Sequence, residues 1–313
     1  MPNERPQLAD FLHAQQLPAR YGEIARQWFV PLAEELVSLH QRLGRPLIIG
    51  INGSQGSGKS TLASLLQWLF QHRHGLSAIA LSIDDFYLSH SERQRLAHEV
   101  HPLLATRGVP GTHDVGLMAR TLEGLSRGDS RVSIPRFDKA TDDPFPQEEW
   151  QRVTPPLDMS IIEGWCLGTP PQDESALLEP INELEAEEDP DGRWRRYVNR
   201  QIAEQYQPLY QQVDAWIMLK APSFDCVYQW RLEQEQKLAQ RLAESSSKHR
   251  VMDSRELARF IAHFQRLTIH GLHVLPPRMH FLYELDAQRG IIKEAGMFCN
   301  TLATFFNEQH APK

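Results

Sequence analysis

Five short apolar runs, at residues 47–51, 77–83, 159–162, 215–219 and 280–285, are separated by stretches in which apolar residues mostly recur at helical spacing. A run too short for a core helix, bounded by polar or turn residues, predicts a buried strand, and the 3.6-residue period after it predicts a helix. Their alternation predicts an α/β fold, a doubly wound parallel sheet with helices on both faces. Ahead of the first run, residues 7–43 place Ile24, Trp28, Leu32, Leu36 and Leu39 on one helical face, and Pro31 marks a boundary or kink. An N-terminal helical extension over 1–45 is therefore expected in front of one domain over 46–313. A small peripheral strand is expected at 131–135 and a helix over 115–125.

The turn after the first run carries the most specific chemistry. It reads Gly53-Ser54-Gln55-Gly56-Ser57-Gly58-Lys59-Ser60, a complete G-x-x-x-x-G-K-[ST] phosphate-binding loop, and Thr61 continues into a stretch with apolar residues at 62, 65, 66 and 69. Glycines let the backbone wrap an oxyanion, so that successive N–H groups at the start of the next helix point at phosphate, where the helix dipole also favours negative charge. Lys59 is expected to reach the β- and γ-phosphates and Ser60 to ligate Mg²⁺. A nucleoside triphosphate with Mg²⁺ is the predicted ligand.

Composition narrows the class. A chain of 313 residues can bury about three quarters of its unfolded surface as a domain of this size. With 33 basic against 40 acidic residues and a net charge of −7, a nucleic-acid groove is not expected, which leaves small anions to local basic clusters. No stretch approaches the ~18 apolar residues of a membrane span, and Met1-Pro2-Asn3-Glu4-Arg5 lacks the layout of a signal peptide. Cys166, Cys226 and Cys299 have neither disulfide nor zinc spacing, which fits a reducing cytoplasm and small buried side chains.

Other polar residues stand where strands should end. Asp84 and Asp85 follow the second apolar run, and ligands in open α/β sheets bind outside the carboxyl ends of strands. One carboxylate there could take the proton of an attacking hydroxyl; the alternative is a helix cap or turn. Glu163 ends the third run and suits Mg²⁺, which prefers oxygen ligands and keeps several waters. Arg136 and Lys139 could clamp a substrate carboxylate, or else pair with the neighbouring Asp142 and Asp143. Asp114 is placed to cap the helix at 115, with His113 beside it. Arg231, in Tyr228-Gln229-Trp230-Arg231-Leu232-Glu233, could close over phosphates from a mobile helix, or lie on a solvated face. The acidic segment 172–192 reads as a solvated helix face or loop.

Taken in order, the phosphate loop, Ser82-Ile83-Asp84-Asp85-Phe86-Tyr87, Arg107-Gly108 with Gly111-Thr112-His113-Asp114, Pro135-Arg136-Phe137-Asp138-Lys139, Glu163-Gly164-Trp165, the Trp230-Arg231 block and Leu282-Tyr283-Glu284-Leu285-Asp286 resemble the plant-type D-glycerate 3-kinase family. This is a family of P-loop kinases related to phosphoribulokinase, uridine kinase and pantothenate kinase, and the likeness runs from about Leu17 to Phe305. It implies a P-loop NTPase fold with a helical lid over about 222–275 and ATP- and Mg²⁺-dependent phosphorylation of the hydroxyl of a small acid, D-glycerate. By this likeness Asp84 rather than Asp85 is the catalytic base, with Lys59 and Arg231 as catalytic cations and Arg231 on the lid. Ser60, Glu163 and Asp84 surround the metal. Asp85, Tyr87, His113, Asp114, Arg136 and Lys139 fall on the acceptor side. The family's tyrosine after the Pro-Arg pair is Phe137 here.

Two rival readings remain. One is a kinase of the same fold acting on pantothenate, a nucleoside or a sugar phosphate, which a substrate screen separates. The other is an ATP-binding regulator without catalysis, against which the presence of Asp84 beside Lys59, Ser60 and Glu163 argues, since a pure binder has no use for the base.

Overall fold

In the computed structural model, residues 7–128, 131–243 and 252–297 are described. The N-terminal extension consists of α1 (Leu8–Ala14), α2 (Ala19–Ile24) and α3 (Val30–Leu43), with a wider π-helical turn at Ala25–Phe29 between the last two. Pro31 does mark the boundary. It sits in the first turn of α3, directly after the π-helical turn, whose wider spacing lets Val30 N–H donate to the Ala25 carbonyl five residues back. The apolar face then docks on the domain, Phe29 meeting Tyr283 edge-on at 5.6 Å.

The central strand β1 (Leu47–Gly53) is buried at every position, as a strand covered on both faces must be. It runs into α4 (Lys59–Arg73), followed by β2 (Ala78–Ser82), α5 (His90–Glu99) and α6 (Val115–Arg127). Two small ribbons come next, β3 (Val132–Ile134), β4 (Phe137–Asp138), β5 (Asp143–Pro144) and β6 (Gln151–Val153), with β3 pairing β6 and β4 pairing β5. The chain returns to the sheet as β7 (Met159–Gly164), crosses through α7 (Glu183–Glu188), α8 (Arg193–Gln201) and the short α9 (Gln207–Tyr210), and re-enters as β8 (Ala215–Lys220). The helices α10 (Phe224–Ala243) and α11 (Ser254–Val274) precede β9 (Phe281–Leu285) and β10 (Ile291–Ala295).

The sheet order is β10-β9-β8-β1-β7-β2, parallel except for β10 against β9. Side chains alternate across β1. Leu47, Ile49 and Ile51 join Leu32, Leu36, Leu62 and Leu66 on one face, and Ile48 joins Leu81, Leu122, Ile162 and Phe264 on the other. All five expected strands are present, and the peripheral one appears as β3. The sixth, β10, is an exposed edge carrying Lys293 and Glu294, so it lacks the apolar signal of a core strand.

The acidic segment is mostly exposed as expected, and two of its acids depart from that reading. Glu185 and Asp189 are fully buried, Glu185 accepting from Arg266 at 2.6 and 2.8 Å and Asp189 from Arg195 at 2.9 Å. Arg195 lies on α8, six residues after Asp189, whereas Arg266 lies on α11, 81 residues from Glu185 and beyond the reach of local composition. Arg266→Ala would leave the Glu185 carboxylate buried and unpaired, so the urea unfolding midpoint should fall by the equivalent of about 3–5 kcal/mol. An unchanged midpoint would mean that water replaces the guanidinium freely.

Of the three cysteines, Cys166 is buried and Cys226 partly so, both as free thiols; Cys299 lies outside the described residues. Among the described residues no helix is long and apolar enough to cross a membrane.

Candidate active site

The phosphate loop needs its glycines for two different reasons. Gly56 and Gly58 have φ of +80° and +93°, the left-handed region that side chains disfavour. Gly56 is also pressed by the lid, since a Cβ added there would lie 2.7 Å from Cβ of Trp230 on α10. Gly58 precedes α4 with no side-chain cap, so the first-turn N–H groups of a 15-residue helix remain available to an anion. Arg289, in the turn between β9 and β10, donates to the Gly56 carbonyl at 2.8 Å and to Glu233 at 2.8 Å, with its guanidinium over the Trp230 ring. Loop and lid are thereby joined to the sheet edge.

Sheet register assembles the acids. Glu163 on β7 pairs with Ile51 on β1 and with Ser82 on β2, so the carboxyl ends of three adjacent strands converge. Glu163 is 4% exposed; its Oε1 accepts from Ser60 Oγ at 2.6 Å, whereas Oε2 has no hydrogen-bond donor and lies 3.7 Å from Lys59 Nζ. An orphaned carboxylate oxygen beside a hydroxyl at the end of a phosphate loop fits Mg²⁺, which needs few protein ligands when phosphates and waters supply the rest. Among the described residues there is no cluster of three His, Cys, Asp or Glu for an all-protein metal site.

Beyond β2 a 3₁₀ turn at Ile83–Phe86 presents both aspartates. Asp84 accepts from Lys139 Nζ at 2.6 Å and from the Tyr87 hydroxyl at 2.9 Å. Burial pushes its carboxyl upward, but the charges of Lys139 and Lys59 and these two hydrogen bonds more than reverse that, lowering its pKa to about 2. Asp84 is therefore ionised throughout the neutral range. Asp85 is different. Burial raises its pKa against the opposing pull of Arg136, which lies 3.1 Å away, and its carboxylate turns back to its own cap at the Ser82 N–H. The cations of the Pro-Arg-Phe-Asp-Lys block thus pair with the two aspartates of the strand end, not with Asp142 and Asp143.

These groups line one cavity of about 510 Å³. Gln55, Gly56, Lys59 and Ser60 form its phosphate end, with Glu163 beside them; Asp84, Asp85 and Tyr87 line the middle; Arg136, Lys139 and the lid residue Arg231 complete it. Gly53, Ser54, Ser57, Gly58 and Thr61 support the loop without lining the cavity. Arg231 is held by Gln234 at 3.2 Å and by Glu235, with its guanidinium 5.7 Å from the Phe260 ring.

His113 and Asp114, expected on the acceptor side, do not line the cavity. His113 is buried behind Tyr87, stacked on its ring at 4.4 Å, with Nδ1 2.6 Å from the Tyr206 hydroxyl; burial lowers its pKa to about 4, so it is neutral. Asp114 accepts from Leu117 N at 2.7 Å as the cap of α6. Both support Tyr87 and α6 rather than line the cavity. Six lining residues are not among the expected site residues: Ser82, Arg107, Trp165, Gln234, Phe260 and Phe264. Arg107 and Trp165 fall inside motif blocks, which was the available signal. The two phenylalanines recur at helical spacing on α11 and read only as core.

A doubly wound sheet with a phosphate loop after its central strand, and acids at the ends of β7 and β2, is the arrangement of a P-loop NTPase. No family model matches the chain. It is 36% identical over 251 residues to the uncharacterized kinase mug58 of Schizosaccharomyces pombe, a match covering 76% of this chain and 85% of that protein. It is 29% identical over 286 residues to the chloroplastic D-glycerate 3-kinase of Arabidopsis thaliana, covering 85% of this chain and 60% of that protein's length. The solved structure of D-glycerate 3-kinase from Cryptococcus neoformans shares the fold, with a TM-score of 0.70 at 24% identity, covering 87% of this chain and 98% of that one. The chain belongs to the kinase family that contains the plant D-glycerate 3-kinase and its fungal relatives. It is a kinase, an ATP-binding transferase.

Proposed function

We propose that the protein phosphorylates D-glycerate to 3-phosphoglycerate, using MgATP. One observation carries this reading: the phosphate loop, an ionised carboxylate at Asp84 and two acceptor-side cations, Arg136 and Lys139, line the same cavity. Lys59 and the N-terminus of α4 hold the triphosphate. Ser60 and Glu163 are the residues that would hold Mg²⁺, which when bound neutralises phosphate charge. The acceptor hydroxyl oxygen forms a bond to the γ-phosphorus as the bond from phosphorus to the leaving ADP oxygen breaks, and the hydroxyl proton passes to Asp84. Little other covalent chemistry is required, so alignment and charge neutralisation by Lys59 and Arg231 supply most of the rate. Tyr87 holds Asp84 in place from the opposite oxygen to Lys139.

The reading selects an acid over a neutral alcohol, because Arg136 and Lys139 would face its carboxylate. The purified protein should turn over D-glycerate in preference to glycerol, pantothenate and nucleosides. Arg136→Ala should raise KM for D-glycerate more than it lowers kcat and leave KM for ATP near the parent value, since a contact made equally in ground and transition states appears in KM. Preference for a nucleoside or for pantothenate in the same screen would replace D-glycerate as the substrate.

A further inference from the structure

Arg107 lines the same cavity as Tyr87 and Trp165. Its guanidinium is held from two sides. One N–H donates to Asp142 Oδ1, and the plane rests 5.6 Å over the Phe137 ring. The backbone beneath is held as well, for the next residue, Gly108, has φ +141° and a Cβ there would lie 2.5 Å from the Phe264 ring. Trp165 Nε1 donates to the Gly108 carbonyl at 3.0 Å.

Asp142 is shared. Its Oδ2 lies 2.8 Å from Arg93, whose side chain is 1% exposed, and 3.3 Å from His90 Nδ1. Arg93 spends its donors inward, on the carbonyls of Leu88, Ala105 and Asp142 as well as on the carboxylate. Arg107 spends one of its five N–H groups. Two guanidinium groups thus share one carboxylate and leave an excess positive charge at the wall. Arg136 with Asp85 and Lys139 with Asp84 are instead one-to-one pairs, each neutral in sum. An anion entering the cavity therefore meets its unbalanced, pre-oriented donor at Arg107.

We propose that Arg107 is a further specificity-determining residue, which joins Arg136 and Lys139 in binding the carboxylate of the acceptor, and that Asp142 is its positioning residue. This rests on the acceptor's being a hydroxy acid, as proposed above. Asp142 stands at φ +62° in the β4–β5 hairpin, a conformation that Asp and Asn tolerate, and the same hairpin carries Lys139. One carboxylate thereby sets both Arg107 and the loop bearing Lys139 against Asp84.

Steady-state kinetics of the full chain test this with D-glycerate and glycerol as acceptors. Arg107→Gln should raise KM for D-glycerate by about 10- to 100-fold, the worth of a charge-assisted contact, and narrow the preference for acid over alcohol, with KM for ATP near parent. Arg107→Lys retains the charge facing Asp142 but lacks the planar fork, so it should not restore the parent KM. Asp142→Asn preserves the backbone conformation and should raise KM for D-glycerate in the same direction, by less, with a smaller change in kcat. A parent-like KM for D-glycerate in either folded Arg107 variant overturns the role of Arg107, and a parent-like KM in Asp142→Asn overturns that of Asp142. In both cases the kinase reading stands, provided that the parent enzyme uses D-glycerate. A parent that turns over glycerol as readily as D-glycerate defeats the hydroxy-acid reading itself, and the Arg107 proposal with it.

Discussion

Lys59→Ala is expected to reduce phosphoryl transfer to background while the protein remains folded. Lys59 is the first residue of α4, directly after the left-handed Gly58, and its ammonium lies 3.7 Å from Glu163 at the phosphate end of the cavity. Removing one preorganised charge from a partly dehydrated site costs on the order of 10²- to 10³-fold in kcat when the charge acts mainly on the transition state. Lys59 is asked to do more, since it neutralises ground-state phosphate too, and the loss should exceed that range. The fold should survive because the side chain is peripheral to both layers of core; a thermal melt checks this. A folded variant that phosphorylates substrate at the parent rate would place the nucleotide elsewhere.

Asp84→Asn should lower kcat by about 10²- to 10⁴-fold, the usual worth of a positioned base, with ATP affinity little changed. The amide oxygen can still accept from Tyr87, so geometry is largely kept while the proton acceptor is lost. Because the Asp84 carboxyl is held at about 2, its protonation cannot shape the pH–rate profile of the free enzyme in the neutral range. Single-turnover kinetics should separate it from Asp85, whose carboxylate is engaged with Arg136 and with the cap of its own turn. Undiminished chemistry in Asp84→Asn beside an inactive Asp85→Asn would transfer the role of base.

Much of the phosphate end is legible without coordinates. A backbone cradle for oxyanions requires glycine at particular spacing, and a strand covered on both faces requires an unbroken apolar run; both constraints are local and both are written into residues 47–60. The acids at Asp84 and Glu163 follow from the rule that open sheets bind ligands at their strand ends. The acceptor end is less legible. His113 sits in a selective motif but is buried behind Tyr87, and Asp114 is spent on a helix cap, because a motif records that residues matter without recording which wall they face.

By itself the sequence determined the strands of the core, the phosphate loop with its helix and the class of ligand, because hydrophobic period and glycine placement act over a few neighbouring residues. Only the tertiary structure decided which charges meet. Lys139 reaches Asp84 across 55 positions, Arg107 reaches Asp142 across 35, and Arg266 reaches Glu185 across 81. Charge pairing depends on distance in space and on burial, and neither is encoded at any single position; the order of the strands and the docking of the lid supply both.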